Sequence, residues 1–216
     1  MILPTSYWPP ISYVEAYLQV PIDVLYTTRP QRDHNATTIK EQRANTERRP
    51  NADRTPIERS HKADRLIEVQ ESFEKQTFRN RCRILDLQGR EMVLTVPVKK
   101  VEHKQLTQDI EIAYAEPWQA KHTQALRSAY EQTPYFDYFW DLIEPIYHRQ
   151  FKYLIDLNDR TLQLALAIST RTISPSGQME PIIVQHTTDW SGETWTDKHP
   201  WQQELSILDR LFRDGY

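Results

Sequence analysis

The sequence contains few of the residues that build glycine-lined or cysteine-based sites. Of its 216 residues, only 4 are glycine, and Cys82 is the single cysteine. One cysteine cannot form an intramolecular disulfide bond or supply a thiolate zinc cluster. The absence of disulfide bonds is typical of proteins from a reducing compartment. With so little glycine, a backbone cradle for phosphate is hard to build, and no dinucleotide-binding, Walker, HExxH or GxSxG motif is present. A nucleotide or sugar phosphate would therefore have to be held by side chains.

Neither the net charge nor the apolar segments point to a nucleic acid or a membrane. The formal net charge is -3, whereas nucleic-acid-binding proteins usually carry a basic excess. No apolar run approaches the roughly 18 residues of a membrane-spanning helix, and the segment from Met1 to Pro10 lacks a secretory signal pattern. We therefore expect no nucleic-acid partner, no membrane insertion and a cytoplasmic location. The sequence leaves the oligomeric state open and identifies no cofactor or metal.

A polar stretch interrupts what we predict to be one domain, formed by residues 1–28 and 66–216. Residues 29–65 contain no aromatic residue, and their only large aliphatic residues are Ile39 and Ile57. Such a segment cannot form a core, and it is too long for an ordinary loop of a compact domain. We predict a charge-rich insertion that is mobile or partly helical. The alternative is a basic arm that grips an anionic partner, although interspersed Asp and Glu weaken that interpretation.

Residue patterns predict a mixed α/β (α+β) fold with a helical C-terminal half. Alternation favours a four- to five-stranded mixed or antiparallel sheet from the strands at residues 1–4, 66–69, 76–87, 91–98 and 110–114, with one more short strand at 182–184. Apolar residues at helical spacing predict helices that start after Pro10, at Pro117, at Pro134 and near Phe151, and a last helix over residues 203–214.

A cationic segment before and within the third predicted strand is the best candidate for an anion site. On a strand, one face of this segment would carry all of its basic residues, which are Lys75, Arg79, Arg81 and Arg83. Guanidinium groups bind phosphate and carboxylate in bidentate fashion. The alternative is a solvated strand face that is paired with nearby glutamates. Asn80 falls on the apolar side, where its amide needs hydrogen-bond partners.

Five further positions carry side chains that could take part in chemistry. His122 lies on an apolar helix face, either as a general base in a cleft or as a hydrogen-bonded, partly buried histidine. Cys82 is either a nucleophile or a small buried hydrophobic residue. Asn158 falls on the inner stripe of a helix, where its amide must be satisfied. Lys198 and His199 precede the last helix and suit either an anion or plain surface charge.

Several motifs in this order resemble the WbqC-like protein family. They are LPTSYWPPISY at 3–13, EKQTFRNRC at 74–82, EPWQ at 116–119 with His122, SAY at 128–130, PYF at 134–136, LIDLN at 154–158, DKH at 197–199 and LSILD at 205–209. The chain departs from the family pattern at residues 200–204, where PWQQE replaces an expected glycine, an aromatic residue and a Pro-Asn pair.

The resemblance implies a bacterial protein of surface-polysaccharide synthesis, for which a role as a glycine or other aminoacyl transferase in O-antigen synthesis has been suggested. We therefore expect an N-acyl transferase that acts on an amino sugar or a nucleotide sugar. The expected partner is an anionic small molecule, such as a nucleotide sugar. His122 or His199 would accept the proton of the attacking amine. The alternative is a non-catalytic binding or scaffold protein for polysaccharide or envelope assembly. We predict that the substrate-binding residues share one cleft with these histidines: Tyr7, Lys75, Arg79, Asn80, Arg81, Asn158 and Lys198.

Overall fold

The computed structural model describes residues 2–18, 65–170, 184–192 and 199–215. Within these residues, the five helices are α1 (Ile11–Leu18), α2 (Trp118–Tyr130), α3 (Phe136–His148), α4 (Leu154–Ser169) and α5 (Ile207–Asp214). The strands are β1 (Ile2–Pro4), β2 (Leu66–Glu68), β3 (Arg81–Leu85), β4 (Glu91–Thr95) and β5 (Gln185–His186). The mixed α/β class is as predicted. Residues 29–64 of the predicted insertion and residues 182–183 lie outside the described residues.

The described strands form two small sheets, so the predicted four- to five-stranded sheet is wrong. β2 pairs in parallel with β1 on one side and with β5 on the other, which gives a three-stranded sheet. β3 and β4 form a separate antiparallel hairpin. The predicted strand at 110–114 makes only isolated bridges, from Ile112 to Val98 and from Glu111 to Tyr153.

The third predicted strand starts only at Arg81, because the residues before it form turns. Gln76 has a φ of 64°, a conformation that a strand cannot contain. The Asn80 side chain accepts a hydrogen bond from the Gln76 amide at 3.1 Å and donates another at 3.0 Å to the main chain after β4. The cationic row is therefore broken, since Arg79 does not share a strand face with Arg81.

The helices follow the predicted apolar spacing more closely. α2 begins directly after Pro117, and Pro145 lies inside α3 without ending it. The last helix, predicted over residues 203–214, is shorter than expected, because α5 begins only after Ser206. One turn of 3-10 helix at residues 200–202 precedes it. The Ser206 hydroxyl caps α5 by accepting from the amide of the second helical residue at 3.2 Å, and Gly215 ends the helix with a φ of 73°.

The core takes its buried side chains from the helices and from both sheets. α4 supplies many of its buried side chains, and the loop that follows β1 runs into the same interior. Tyr7 and Trp8 of this loop are fully buried, and Trp8 has a φ of 43°, which is rare for a bulky residue. Such backbone strain persists only where the surrounding packing fixes it.

Candidate functional site

The loop after β1 and the turn before β3 meet in a buried polar centre. The amide of Tyr7 donates to the carbonyl oxygen of Phe78 at 2.9 Å. Asn158 of α4 joins the two segments, because its Nδ2 donates to Thr5 Oγ1 at 3.0 Å and to the carbonyl oxygen of Arg79 at 2.8 Å. Its Oδ1 is buried and has no hydrogen-bond partner in the described part of the chain. The Asn158 amide therefore holds together two of the predicted site segments.

A directed chain of hydrogen bonds crosses this centre. His122 Nε2 lies 3.1 Å from the carbonyl oxygen of Thr95, which can only accept, so Nε2 carries the proton and Nδ1 is an acceptor. The Tyr7 hydroxyl, 3.0 Å away, donates to Nδ1 and accepts from the Tyr147 hydroxyl, also at 3.0 Å. Tyr147 in turn accepts from Trp8 Nε1 at 2.9 Å. Both nitrogens of His122 are thus engaged.

Burial sets the protonation states of this centre. It lowers the pKa of His122 to about 4, so the imidazole is uncharged near neutral pH. It also raises the pKa of the Tyr7 hydroxyl and of the neighbouring Cys82 thiol. Both groups therefore remain protonated, and the thiolate form that a nucleophilic cysteine needs is disfavoured. In the described arrangement, these three side chains serve as hydrogen-bonding and packing groups.

Arg79 forms a buried ion pair with Glu71. Its Nε and Nη2 donate to the two carboxylate oxygens of Glu71 at 2.6 and 2.7 Å, and Nη1 donates to Thr77 Oγ1 at 3.2 Å. The two side chains are only 1% and 6% exposed. Burial raises the pKa of Glu71, while the hydrogen bonds from Arg79 oppose that shift. A phosphate could bind Arg79 only by displacing this carboxylate.

Arg81 lies in a pocket where β3 meets the segment before α5. The pocket encloses about 370 Å³ when counted out to its mouth. Arg81 Nε is buried and has no hydrogen-bond partner among the described residues. The neighbouring Arg83 differs, because it donates to the carbonyl oxygen of Gln202 at 2.9 Å and pairs with Glu91 at 2.6 Å. The remaining lining residues are Trp8, Pro10, Phe78, Cys82, Val93, Trp201, Glu204 and Ser206.

The segment that departs from the family pattern forms one wall of this pocket. Gln202 fixes it to the turn before β3, since its Oε1 accepts from the Phe78 amide at 2.7 Å and its Nε2 donates to the carbonyl oxygen of Gln76 at 2.9 Å. The Trp201 ring packs edge-to-face against Phe78, with ring centroids 6.0 Å apart, and against Tyr13 at 4.9 Å. The wall is therefore held by both hydrogen bonds and aromatic packing.

Glu204 is a pocket residue that the sequence analysis did not identify as a candidate. Its Oε2 accepts a short hydrogen bond from the Ser12 hydroxyl of α1. No ion pair among the described residues joins it to Arg81, although both side chains line the pocket. Glutamate is common in this charge-rich chain, so no motif or spacing identifies Glu204 as a site residue. Its position two residues before the Ser206 cap is the one local signal.

The structure brings some of the predicted site residues together and separates others. Tyr7, Asn80, His122 and Asn158 belong to the buried polar centre, where they are at most 4% exposed. Arg81 faces the adjoining pocket. These residues therefore occupy neighbouring regions, one closed and one open, rather than a single open cleft.

The remaining predicted residues lie at the margin or outside. His199 Nδ1 accepts from the main-chain amide of Trp201 at 3.3 Å, and its ring packs near Phe78 at a centroid distance of 6.2 Å. Burial lowers the pKa of His199; the charge of Glu204 opposes this shift, and the charge of Arg79 adds to it. Lys75 is exposed in the turn before β3. Lys198 lies outside the described residues.

The described residues offer neither a cluster of metal-binding side chains nor a membrane-spanning helix. These residues contain no group of three or more His, Cys, Asp or Glu side chains that could hold a metal ion. Their helices are all too short or too polar to cross a membrane.

Comparison with protein families confirms the resemblance. The model of the WbqC-like protein family matches residues 58–181, which is more than half of the chain. The chain belongs to the WbqC-like protein family. The matched segment includes Arg79, Arg81, His122 and Asn158, whereas the 200–204 wall of the pocket lies beyond it. No curated protein and no solved structure matches this WbqC-like chain.

Proposed function

We propose that this WbqC-like protein is an N-acyl transferase that moves glycine or another aminoacyl group onto an amino sugar in bacterial surface-polysaccharide synthesis. The sugar is carried as a nucleotide-linked precursor and binds in the Arg81 pocket. The observation that carries the proposal is the guanidinium of Arg81, whose buried Nε has no partner among the described residues. A buried donor without a partner costs free energy, which an anionic ligand would recover.

The pocket suits a phosphate that is joined to a sugar ring. Arg81 offers charge-assisted hydrogen bonds to phosphate oxygens, and the adjacent Arg83 adds positive potential while its own bonds keep it in place. The rings of Phe78 and Trp201 provide an apolar surface for one face of a sugar. The volume of about 370 Å³ includes open solvent at the mouth, and only about 30 Å³ of it is enclosed, so the pocket would take a charged group of the ligand while the sugar and the base lie at or beyond the mouth.

In the transfer, the amine nitrogen forms a bond to the acyl carbon, and the leaving group departs from that carbon. The nitrogen loses a proton in this step, so the site needs a group that accepts it. His199 is better placed for this role than His122. Freeing His199 Nδ1 requires the loss of one 3.3 Å bond from the Trp201 amide. Freeing His122 Nδ1 would disrupt a buried chain of hydrogen bonds. In this proposal, Tyr7 and Asn158 position the loop that carries Trp8.

Calorimetric titration with a panel of nucleotide sugars tests the binding part of the proposal. We expect Arg81→Gln to weaken binding by about tenfold to a hundredfold, because charged hydrogen bonds contribute about 1.5–3 kcal/mol. Arg90→Gln is the matched control, since Arg90 is 76% exposed and pairs with Asp86 at the hairpin turn. Absence of binding across the panel, or equal affinities of the two variants, would contradict the proposal.

The second candidate function is a non-catalytic binding protein that assists polysaccharide assembly. It is favoured by the engagement of both nitrogens of His122 and by the burial of Cys82, which leave neither side chain free to act as a base or a nucleophile. Mass spectrometry of a bound nucleotide sugar after incubation with cell extract separates the two functions. An enzyme adds the mass of an aminoacyl group to the sugar, whereas a binding protein returns the sugar unchanged.

A further inference from the structure

The Arg81 pocket contains two opposite charges that do not neutralise each other. Arg81 and Glu204 both line it, and no ion pair among the described residues joins them. The described partner of the Glu204 carboxylate is the Ser12 hydroxyl, one donor for a group with about four lone-pair sites. The pocket therefore offers a ligand both a cation and an anion.

Three aromatic residues share the pocket with Glu204, and the ring of one of them, Phe78, already has the Arg79 guanidinium 5.1 Å from its centroid. Trp201 lies three residues before Glu204 on the same wall, and its ring meets that of Phe78 at 88° with centroids 6.0 Å apart. Trp8 also lines the pocket. Aromatic faces attract ammonium groups, and a nearby carboxylate adds a charge-assisted hydrogen bond.

From this arrangement, we infer that the pocket selects ligands that carry a free amino group as well as an anionic group, and that Glu204 is the residue that recognises the amine. The inference rests on the proposed function and specifies its acceptor as an amino sugar that binds in the ammonium form and gives one proton to the Glu204 carboxylate before the neutral amine attacks the acyl carbon. Acylation turns this ammonium into a neutral amide, which can no longer form an ion pair with Glu204. Glu204 would thus favour the substrate over the product and promote product release.

An isosteric substitution separates this role from a structural one. The alternative role of Glu204 is to anchor its segment to α1 through Ser12. Glu204→Gln keeps an oxygen that accepts from the Ser12 hydroxyl, so the anchor is retained while the negative charge is removed. A purely structural Glu204 would therefore tolerate the change without any effect on ligand choice.

The experiment compares UDP-glucosamine with UDP-N-acetylglucosamine, which differ in whether the amine is free or acylated. Calorimetric titration is carried out at a pH below the pKa of the sugar amine. We expect the wild-type protein to bind the free amine about tenfold more tightly, Glu204→Gln to lose this preference without weaker binding of the acetylated sugar, and Arg81→Gln to weaken both ligands alike. Thermal unfolding of each variant verifies the fold.

The outcomes separate the inference from the proposed function. Loss of the preference in Glu204→Gln alone supports the inference. Equal binding of the two sugars by the wild-type protein, or an unchanged preference in Glu204→Gln, overturns the inference and leaves the nucleotide-sugar site in place. Failure of both sugars to bind overturns the proposed function, and the inference falls with it.

Discussion

The substitution Tyr7→Phe tests the buried hydrogen-bond chain most cleanly, because it removes one hydroxyl and leaves the ring in place. Two groups then lose their partners. His122 Nδ1 no longer accepts a hydrogen bond, and the Tyr147 hydroxyl no longer has an acceptor for its proton. All three residues are at most 4% exposed, so water does not readily replace the hydroxyl.

The expected destabilisation follows from these two unpaired groups. Each buried polar group without a partner costs about 1–3 kcal/mol, so we expect a loss of about 2–6 kcal/mol in the free energy of unfolding. Such a loss is a large part of the roughly 5–15 kcal/mol that stabilises a typical domain.

Urea denaturation near neutral pH measures this loss as a lower midpoint with an unchanged slope. Tyr138→Phe is the control, because Tyr138 is 65% exposed and its hydroxyl can bond to water. If Tyr7→Phe lowered the stability by less than about 0.5 kcal/mol, the range of ordinary surface substitutions, the hydrogen-bond chain would not contribute as we argue.

Three further predictions concern groups in the same interior. The pKa of His122 is about 4 in the folded protein and about 6.5 in the unfolded chain, so the unfolded chain binds more protons between these pH values. We therefore expect the free energy of unfolding to fall by up to about 3 kcal/mol as the pH is lowered from 6.5 to 4, measured by urea denaturation. Glu71→Gln leaves the buried Arg79 without its carboxylate and should cost about 3 kcal/mol in the same assay, whereas Glu116→Gln, at an exposed pair, should not change the midpoint. The buried Cys82 thiol should react with a thiol reagent only after denaturant unfolds the protein.

Each of these predictions has an outcome that would contradict it. Replacement of His122 by Gln should flatten the pH dependence, so an unchanged slope would assign the effect to other groups. Equal midpoints for Glu71→Gln and Glu116→Gln would mean that the buried pair contributes no more than an exposed one. Rapid, complete labelling of Cys82 in the native protein would show that the thiol is accessible.

The helices could be predicted because their signals are local. Apolar residues at helical spacing placed the starts of α2, α3 and α4 within a few residues, and proline near the first turn marked α2 and α3 as well. The parallel sheet could not be predicted in this way. It joins Ile2–Pro4 with Leu66–Glu68 and Gln185–His186, three very short segments whose pairing depends on contacts far apart in sequence.

The candidate site was predicted in part for a similar reason. Alternation along an assumed strand put Arg79 beside Arg81, but the turn built by Gln76 and Asn80 directs Arg79 towards Glu71 instead. Glutamine is not a residue type that predicts a left-handed backbone conformation, so the conformation of Gln76 could not be foreseen. Glu204 reaches the pocket only because Gln202 holds its segment against the turn before β3, a long-range contact without a local pattern.

A crystal structure of the protein with bound UDP-glucosamine would locate the ligand site. We predict a phosphate oxygen within hydrogen-bonding distance of Arg81 Nε and the sugar ring against the apolar surface that Phe78 and Trp201 form together. A ligand bound elsewhere, such as in the surface groove between α2 and α3 that Gln124 and His148 line, with Arg81 left without a contact to it, would contradict the account.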